Sequence, residues 1–174
     1  MKQLALALMF SCVVGTYAWA DAKLDCQQHE DRDRQLDGCT RYIEENQTNR
    51  GELAVAYFLR AAAYMHKGDK DLAIADLTKV IEHSPKNAAA YYMRGLVHFN
   101  RREYDRVIPD MAKAIELEPN ADDRVLAGRH MLRGIAYEKT GNADLAIADF
   151  RRALAIDPEQ QGSKDGLRRL GATP

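Results

Sequence analysis

Three arginine–aspartate pairs recur along the chain with one spacing. In each pair the aspartate follows the arginine by sixteen positions, and the pairs are Arg60 and Asp76, Arg94 and Asp110, and Arg133 and Asp149. A row of guanidinium groups could bind a charged ligand. A carboxylate at a constant offset from every arginine favours internal pairing instead, because the two groups form parallel hydrogen bonds. We therefore predict structural ion pairs that tie two helices, or adjacent repeats, together.

No other arrangement in the sequence suggests chemistry. The five histidines are scattered without metal-ligand spacing, and we expect His83, His98 and His130 to pack or to cap helices. The sequence contains no Ser-His-Asp order, no carboxylate pair on a glycine-rich turn, no phosphate loop and no metal triad. The formal net charge is −1, with no long block of one sign, so a nucleic-acid partner is not indicated. We predict no enzymatic activity, no metal and no cofactor.

The first twenty residues have the pattern of an export signal. Lys2 precedes a short apolar run from Leu4 to Gly15, and Ala18-Trp19-Ala20 forms a small-x-small cleavage site before Asp21. The run is too short to span a bilayer. We predict that residues 1–20 are a cleaved signal peptide, that the mature chain has no membrane span, and that it is exported, with the periplasm as the expected compartment. A retained anchor is the alternative.

Two cysteines, Cys26 and Cys39, lie outside this segment. In an oxidising compartment such thiols pair, and the resulting disulfide would contribute about 3 kcal/mol in the chain-entropy model. A redox pair or half of a metal site is the alternative, but the CxxC spacing and a supporting histidine cluster are missing. We predict a structural disulfide.

Three stretches of the chain share one pattern, which ends each time in a proline: Pro85, Pro119 and Pro158. The first two prolines are 34 residues apart, the length of one helix-turn-helix repeat. In the first stretch, apolar and small residues recur at helical spacing from Ala54 to Lys67 and again from Leu72 to His83. The third stretch is five residues longer, so we expect an added helical turn or a longer loop at its start.

The spacing of the two cysteines also recurs within each stretch, between Tyr64 and Leu77, His98 and Met111, and Tyr137 and Phe150. The cysteine segment is therefore interpreted as a leading repeat whose first helix is shortened to a stub. A covalent bridge would there replace the packing of two large side chains.

These stretches resemble the tetratricopeptide repeat (TPR) family in their aromatic-x-x-Arg-Gly core, the alanine of the second helix and the closing proline. The first stretch departs from this pattern with Ala61 in place of the glycine, and the second with His98 in place of an aromatic residue and Val107 in place of the alanine. The resemblance implies an all-α fold, a right-handed superhelical array of helix-turn-helix repeats (a TPR solenoid) with a C-terminal capping helix. We divide the chain into the signal peptide (1–20), the truncated disulfide-linked leading repeat (21–50), three repeats (54–87, 88–121 and 127–160), and the capping helix with its tail (161–174).

In this family the first helices line a concave groove where partners usually bind. By register, the resemblance implies a partner-binding groove formed by Phe58, Met65, Tyr92, Leu96, Phe99, Met131 and Ile135. The basic and amide residues with which some members clamp a chaperone's terminal carboxylate are missing. An apolar groove suits an amphipathic helix or an extended hydrophobic segment, anchored on Tyr92 and Phe99. The alternative is that several of these side chains are simply buried between helices.

The sequence thus favours a non-catalytic protein–protein interaction scaffold of the bacterial cell envelope, binding a protein or peptide partner in an apolar concave groove. A self-assembling structural protein, a homo-oligomer whose groove is filled by another copy, is the alternative. A small enzyme is the third and least favoured class.

Overall fold

The computed structural model describes residues 21–45 and 48–173. The predicted signal peptide lies outside the described residues. The described residues contain helices and connecting turns and no strand, which confirms the predicted all-α fold. The helices are α1 (residues 21–27), α2 (Arg32–Glu45), α3 (Arg50–Lys67), α4 (Lys70–His83), α5 (Ala88–Asn100), α6 (Tyr104–Leu117), α7 (Asp123–Lys139), α8 (Ala143–Ile156) and α9 (Gln161–Arg169). Within this described part of the chain, none of the helices combines the length and the apolar character of a membrane span.

The described residues divide into two compact units, one that ends at Pro85 and one that begins at Lys86. In the first unit, α3 and α4 form an antiparallel pair and α2 packs against α3. Asn49 caps α3, where its side chain accepts hydrogen bonds from the backbone N–H groups of Gly51 and Glu52. The helix ends at Gly68, whose φ of 85° is the left-handed conformation that glycine adopts without steric cost.

The stub α1 is held against α2 by covalent and ionic contacts. Cys26 and Cys39 form a disulfide between the two helices. Beside it, the carboxylate of Asp25 accepts hydrogen bonds from Arg34 at 2.7 Å and Arg41 at 2.6 Å. A Cβ atom at Gly38 would lie 2.7 Å from the backbone of Cys26, so only glycine permits this close crossing. These contacts hold the seven residues of α1 on the first unit, where α1 contributes to one buried apolar cluster.

In the second unit, α5 pairs with α6, α7 pairs with α8, and α9 packs on α8 and α7. Phe150 of α8 is fully buried. A Cβ atom at Gly134 or at Gly166 would lie within 3.0 Å of its ring, so the two glycines let α7 and α9 approach the ring closely. The short α9 covers the apolar side of α8 with Leu167, which is also fully buried.

Four of the five additional residues of the third stretch form an added turn of helix. Helix α7 has 17 residues where α5 has 13, and it begins at Asp123, behind the N-cap Asp122. Pro109 lies inside α6, which is assigned as one continuous helix from Tyr104 to Leu117. Helix α3 likewise begins at Arg50, four residues before the start expected from the repeat pattern, because Asn49 supplies the cap.

Candidate functional site

All three predicted arginine–aspartate pairs are in direct contact. Each arginine donates two hydrogen bonds to the carboxylate, at 2.8 and 2.8 Å for Arg60–Asp76, 3.0 and 2.7 Å for Arg94–Asp110, and 2.6 and 2.8 Å for Arg133–Asp149. Every pair joins the first helix of a repeat to its second helix. The three carboxylates are buried. These arginines and aspartates therefore join the two helices within each repeat and are not presented to a ligand.

The third pair lies in the most polar surroundings. The Nδ1 atom of His130 lies 3.1 Å from an Asp149 oxygen, and Arg152 lies 3.4 Å from the same oxygen. Burial raises the pKa of Asp149, but the hydrogen bonds from Arg133 and His130 outweigh it and lower the pKa to about 2. In the first pair, burial lowers the pKa of Arg60. The hydrogen bond to Asp76 and the attraction of its negative charge together outweigh burial, so the pKa of Arg60 lies above its usual value.

The other predicted polar residues also have internal roles. His83 stacks on the ring of Tyr57 with the ring centroids 5.7 Å apart. His98 is buried and its Nδ1 lies 2.6 Å from a Glu103 carboxylate oxygen. Cys26 and Cys39 are buried in their disulfide. In the part of the chain that the structure describes, no three histidine, cysteine or acidic side chains are arranged to hold a metal ion.

The structure brings five of the seven predicted groove residues together in the second unit. Tyr92, Leu96, Phe99 and Met131 pack, partly buried, on one cluster of core residues between α5, α6 and α7. Met131 also belongs to the neighbouring cluster around Phe150, where it is joined by Ile135. All five keep part of their surface exposed. We call this set, Tyr92, Leu96, Phe99, Met131 and Ile135, the α5–α7 face.

The two predicted aromatic anchors are partly engaged within the unit. Phe99 meets Tyr104 edge to face, with the centroids 5.8 Å apart. The guanidinium of Arg129 lies 5.7 Å from the centroid of the Tyr92 ring. Arg129 is 3% exposed, and it donates hydrogen bonds to the carbonyl of Ala114 at 3.0 Å and to Glu118 at 2.6 Å.

The role of Arg129 was not predicted from the sequence. The equivalent positions of the first two repeats hold Ala56 and Ala90, so a long side chain at a position of small residues was the available signal.

The remaining two predicted groove residues lie in the first unit. Phe58 and Met65 are seven positions apart on α3, which places them on one side of the helix two turns from each other. Both are partly buried. Val55, one turn before Phe58, is 54% exposed, so α3 carries exposed apolar surface on this side.

A second feature of the first unit was not predicted. A cleft of about 250 Å³ lies between α1 and α3, with Tyr42 of α2 also contributing to its lining. Lys23 of α1 and Glu52 of α3 form an ion pair at 3.0 Å, and Glu52 also accepts a hydrogen bond from the Tyr42 hydroxyl at 2.5 Å. Sequence periodicity could not reveal this cleft, because the cleft depends on how the stub α1 packs against α3, which lies about 25 residues later in the sequence.

Three family models described as tetratricopeptide repeat match residues 54–87, 88–121 and 127–160, which together make up more than half of the chain. No sequence among curated proteins matches the chain.

Solved structures share the fold. The chain is similar to MamA from Desulfovibrio magneticus RS-1, with 18% identity, coverage of 90% of this chain and 83% of that one, and a TM-score of 0.72. It is similar to the second TPR domain of human RPAP3, solved in complex with the HSP70 peptide SGPTIEEVD, with 20% identity, coverage of 72% and 100%, and a TM-score of 0.63. It is also similar to the Arabidopsis OM64 TPR domain, with 22% identity, coverage of 71% and 98%, and a TM-score of 0.62. At these identities the likeness concerns the fold. Taken with the three matching repeat models, it shows that the chain belongs to the tetratricopeptide repeat family.

Proposed function

We propose that the protein is a non-catalytic interaction scaffold that binds a segment of another protein on the apolar side of its first helices. The observation that carries this proposal is the α5–α7 face, where five large apolar side chains from two neighbouring first helices are clustered and only partly buried. Large apolar side chains that keep part of their surface exposed beside one another are typical of protein-binding sites.

The composition of this face determines the class of partner. Its side chains are aromatic and aliphatic, and the segment most complementary to them is an amphipathic helix or an extended stretch with spaced apolar residues. The related fold of the human RPAP3 domain binds a peptide that ends in EEVD. The α5–α7 face of our chain is built from apolar side chains, so we propose an apolar segment rather than an acidic chain end as the partner.

The absence of catalysis is part of the same proposal. The side chains with the most obvious chemical capacity serve internal contacts, because the three arginine–aspartate pairs join helices and both described cysteines are in a disulfide. A scaffold needs these contacts to keep its apolar face rigid, which lowers the entropy lost on binding.

We place the protein in the bacterial cell envelope, with the periplasm as its compartment. The export pattern of residues 1–20 supports this location, and a disulfide between Cys26 and Cys39 is consistent with an oxidising compartment.

Capture from envelope extract tests the proposal. The wild type is compared with a Leu96→Gln/Ile135→Gln variant, which makes the α5–α7 face polar, and with Leu145→Gln, which changes an apolar residue of α8 that is already 50% exposed. Circular dichroism establishes that all three are equally helical. We expect one partner to be captured by the wild type and by Leu145→Gln, and lost from the double variant.

Two results would overturn the proposal. Equal capture by all three proteins would mean that the partner binds a surface other than the α5–α7 face. Concentration-dependent oligomers in light scattering, abolished by the double variant, would instead show that another copy of the chain occupies the face.

A further inference from the structure

Glycines within the helices of this protein mark places where another helix passes closely. For five of them, an added Cβ atom would lie within 3.0 Å of an atom of a neighbouring helix. Two helices approach this closely only where the side chains at the crossing are small. The five are Gly38, which faces α1, Gly95, which faces α6, Gly134 and Gly166, which face α8, and Gly162, which faces α7.

Gly128 of α7 departs from this pattern. Beyond its two chain neighbours and its own helical backbone, an added Cβ atom would meet no described atom within 4 Å, and the residue keeps part of its surface exposed. Its φ is not positive, so the backbone conformation does not require glycine. The equivalent positions of the first two repeats hold Val55 and Ala89, so the repeat pattern does not require glycine either.

Glycine at this position is unfavourable for the fold taken alone. Within a helix, glycine is less stable than alanine, because its backbone loses more conformational freedom on folding. The other recognised use of glycine is to let a second backbone or a ligand approach closely. No helix of the described residues makes that approach at Gly128.

Gly128 lies on the same side of α7 as the apolar residues of the α5–α7 face. It precedes Met131 by three positions and Ile135 by seven, a spacing that places all three on one side of a helix. Helices α5 and α9 both contact α7. Gly162 of α9 gives room to the Met131 side chain, so α9 borders the face at this residue.

From this arrangement we infer that the partner segment is a helix and that it crosses α7 at Gly128, in contact with Met131 and Ile135. Five glycines of this protein admit a crossing helix, and Gly128 offers the same bare backbone on an apolar surface. The inference rests on the proposed function and deepens it, because it selects an amphipathic helix over an extended stretch as the partner segment.

The test is a titration of ¹⁵N-labelled protein with two synthetic peptides, followed by amide chemical shifts. The probe is acetyl-EELAKLAAKLAELK-amide, whose leucines lie on one side of a helix. The control, acetyl-EELAKLAPKLAELK-amide, keeps every leucine and has a proline that breaks the helix. We expect the probe to cause saturable shifts at Gly128, Met131 and Ile135. The control should bind at least about tenfold more weakly, because proline strongly disfavours the helix.

Three variants test the position itself. Gly128→Ala should raise the midpoint of thermal unfolding by about 3 °C, because alanine favours the helix. The same variant should weaken the probe by about tenfold, because its methyl group holds the incoming helix away. Gly128→Leu should abolish the saturable shifts. Ala155→Leu, which adds the same bulk at an exposed position of α8, should leave the affinity unchanged. Circular dichroism establishes that all variants are equally helical.

A gain in stability combined with a loss of affinity distinguishes a contact with the partner from a structural role. Binding of the probe to Gly128→Ala as tightly as to the wild type would overturn the inference. Equal saturable shifts at Ile135 with both peptides would overturn it while supporting the proposed function, because an apolar segment would then bind without being helical. No saturable shift with either peptide at millimolar concentration would overturn it and leave the capture experiment to decide the proposed function.

Discussion

The guanidinium of Arg129 lies 5.7 Å from the centroid of the Tyr92 ring and joins the first helices of two successive repeats. The same side chain donates hydrogen bonds to Ala114 and Glu118 at the end of α6. It thus adds a second hydrogen bond to the Ala114 carbonyl, which also accepts a hydrogen bond from the backbone N–H of Glu118, in the last turn of a helix, where the helix dipole favours a positive charge. This contact occurs next to the added turn of α7, where the third repeat departs from the standard length.

Arg129→Ala should therefore destabilise the second unit by about 2 kcal/mol, the usual effect of removing hydrogen bonds from a buried charged group. Urea denaturation measures the change. Arg124→Ala is the matched control, because Arg124 is exposed on the same helix. Equal stability of the two variants would contradict the role given to Arg129.

The pKa of Asp149 predicts an acid transition. Hydrogen bonds from Arg133 and His130 lower it from the ordinary 3.8 of an aspartate to about 2 in the folded protein, so the unfolded chain binds the proton more tightly. The stabilisation is fully present above about pH 4 and is lost as the pH falls towards 2, a change on the order of 2 kcal/mol for this carboxylate. Unfolding free energies measured between pH 2 and pH 5 should show this slope.

Asp149→Asn supplies the comparison for that slope. The variant should be less stable at pH 7, because the partly buried Arg133 loses its charged partner, and its stability should depend less on pH between 2 and 4. The exposed Asp144→Asn should retain the wild-type slope. An unchanged slope in Asp149→Asn would show that other carboxylates cause the acid transition.

The disulfide should stabilise the first unit locally. Replacing both Cys26 and Cys39 by alanine should cost about 3 kcal/mol and release α1, because the disulfide is the covalent link that fixes this seven-residue helix on α2. Hydrogen exchange should show lost protection in residues 21–27 and retained protection in α7 and α8. Full protection of the stub in the double variant would mean that Asp25 and its two arginines suffice to hold it.

A turn of the second repeat carries backbone strain. Arg102 has a φ of 61°, whereas the turns of the first and third repeats have Gly68 at 85° and Gly141 at 82°. Arg102→Gly should stabilise the protein by about 1 kcal/mol, because glycine adopts the left-handed conformation without a clash. Arg101→Gly, at a φ of −94°, should not stabilise it. Thermal unfolding of the two variants measures the difference, and a gain in neither would contradict the account of the turn.

The regular features of the fold could be predicted because they repeat. Closing prolines and helical periodicity indicated the helix pairs, and the constant offset of Arg60 from Asp76 indicated contact between two helices. The start of α3 was placed four residues late, although Asn49 followed by Glu52 was an available capping signal. The cleft beside Cys26 and the contacts of Arg129 depend on packing between distant segments, which residue spacing does not encode.

The α5–α7 face was predicted from register, and the structure adds what each side chain touches. Phe99 packs against Tyr104, and Tyr92 packs against Arg129. Mutation of either aromatic residue would also remove a contact within the unit, so Leu96 and Ile135 are the better positions for testing the face. That distinction came from contacts between helices, which no pattern in the sequence indicated.

Site-specific photo-crosslinking tests the central claim most directly. A benzoylphenylalanine is introduced at Ile135, on the α5–α7 face, or at Leu145, on the exposed side of α8, and each protein is irradiated in envelope extract. We expect the protein with the crosslinker at position 135 to yield a discrete crosslinked partner, and the protein with the crosslinker at position 145 to yield none. Crosslinking of the same partner from position 145 alone would contradict the claim that the first helices carry the binding surface.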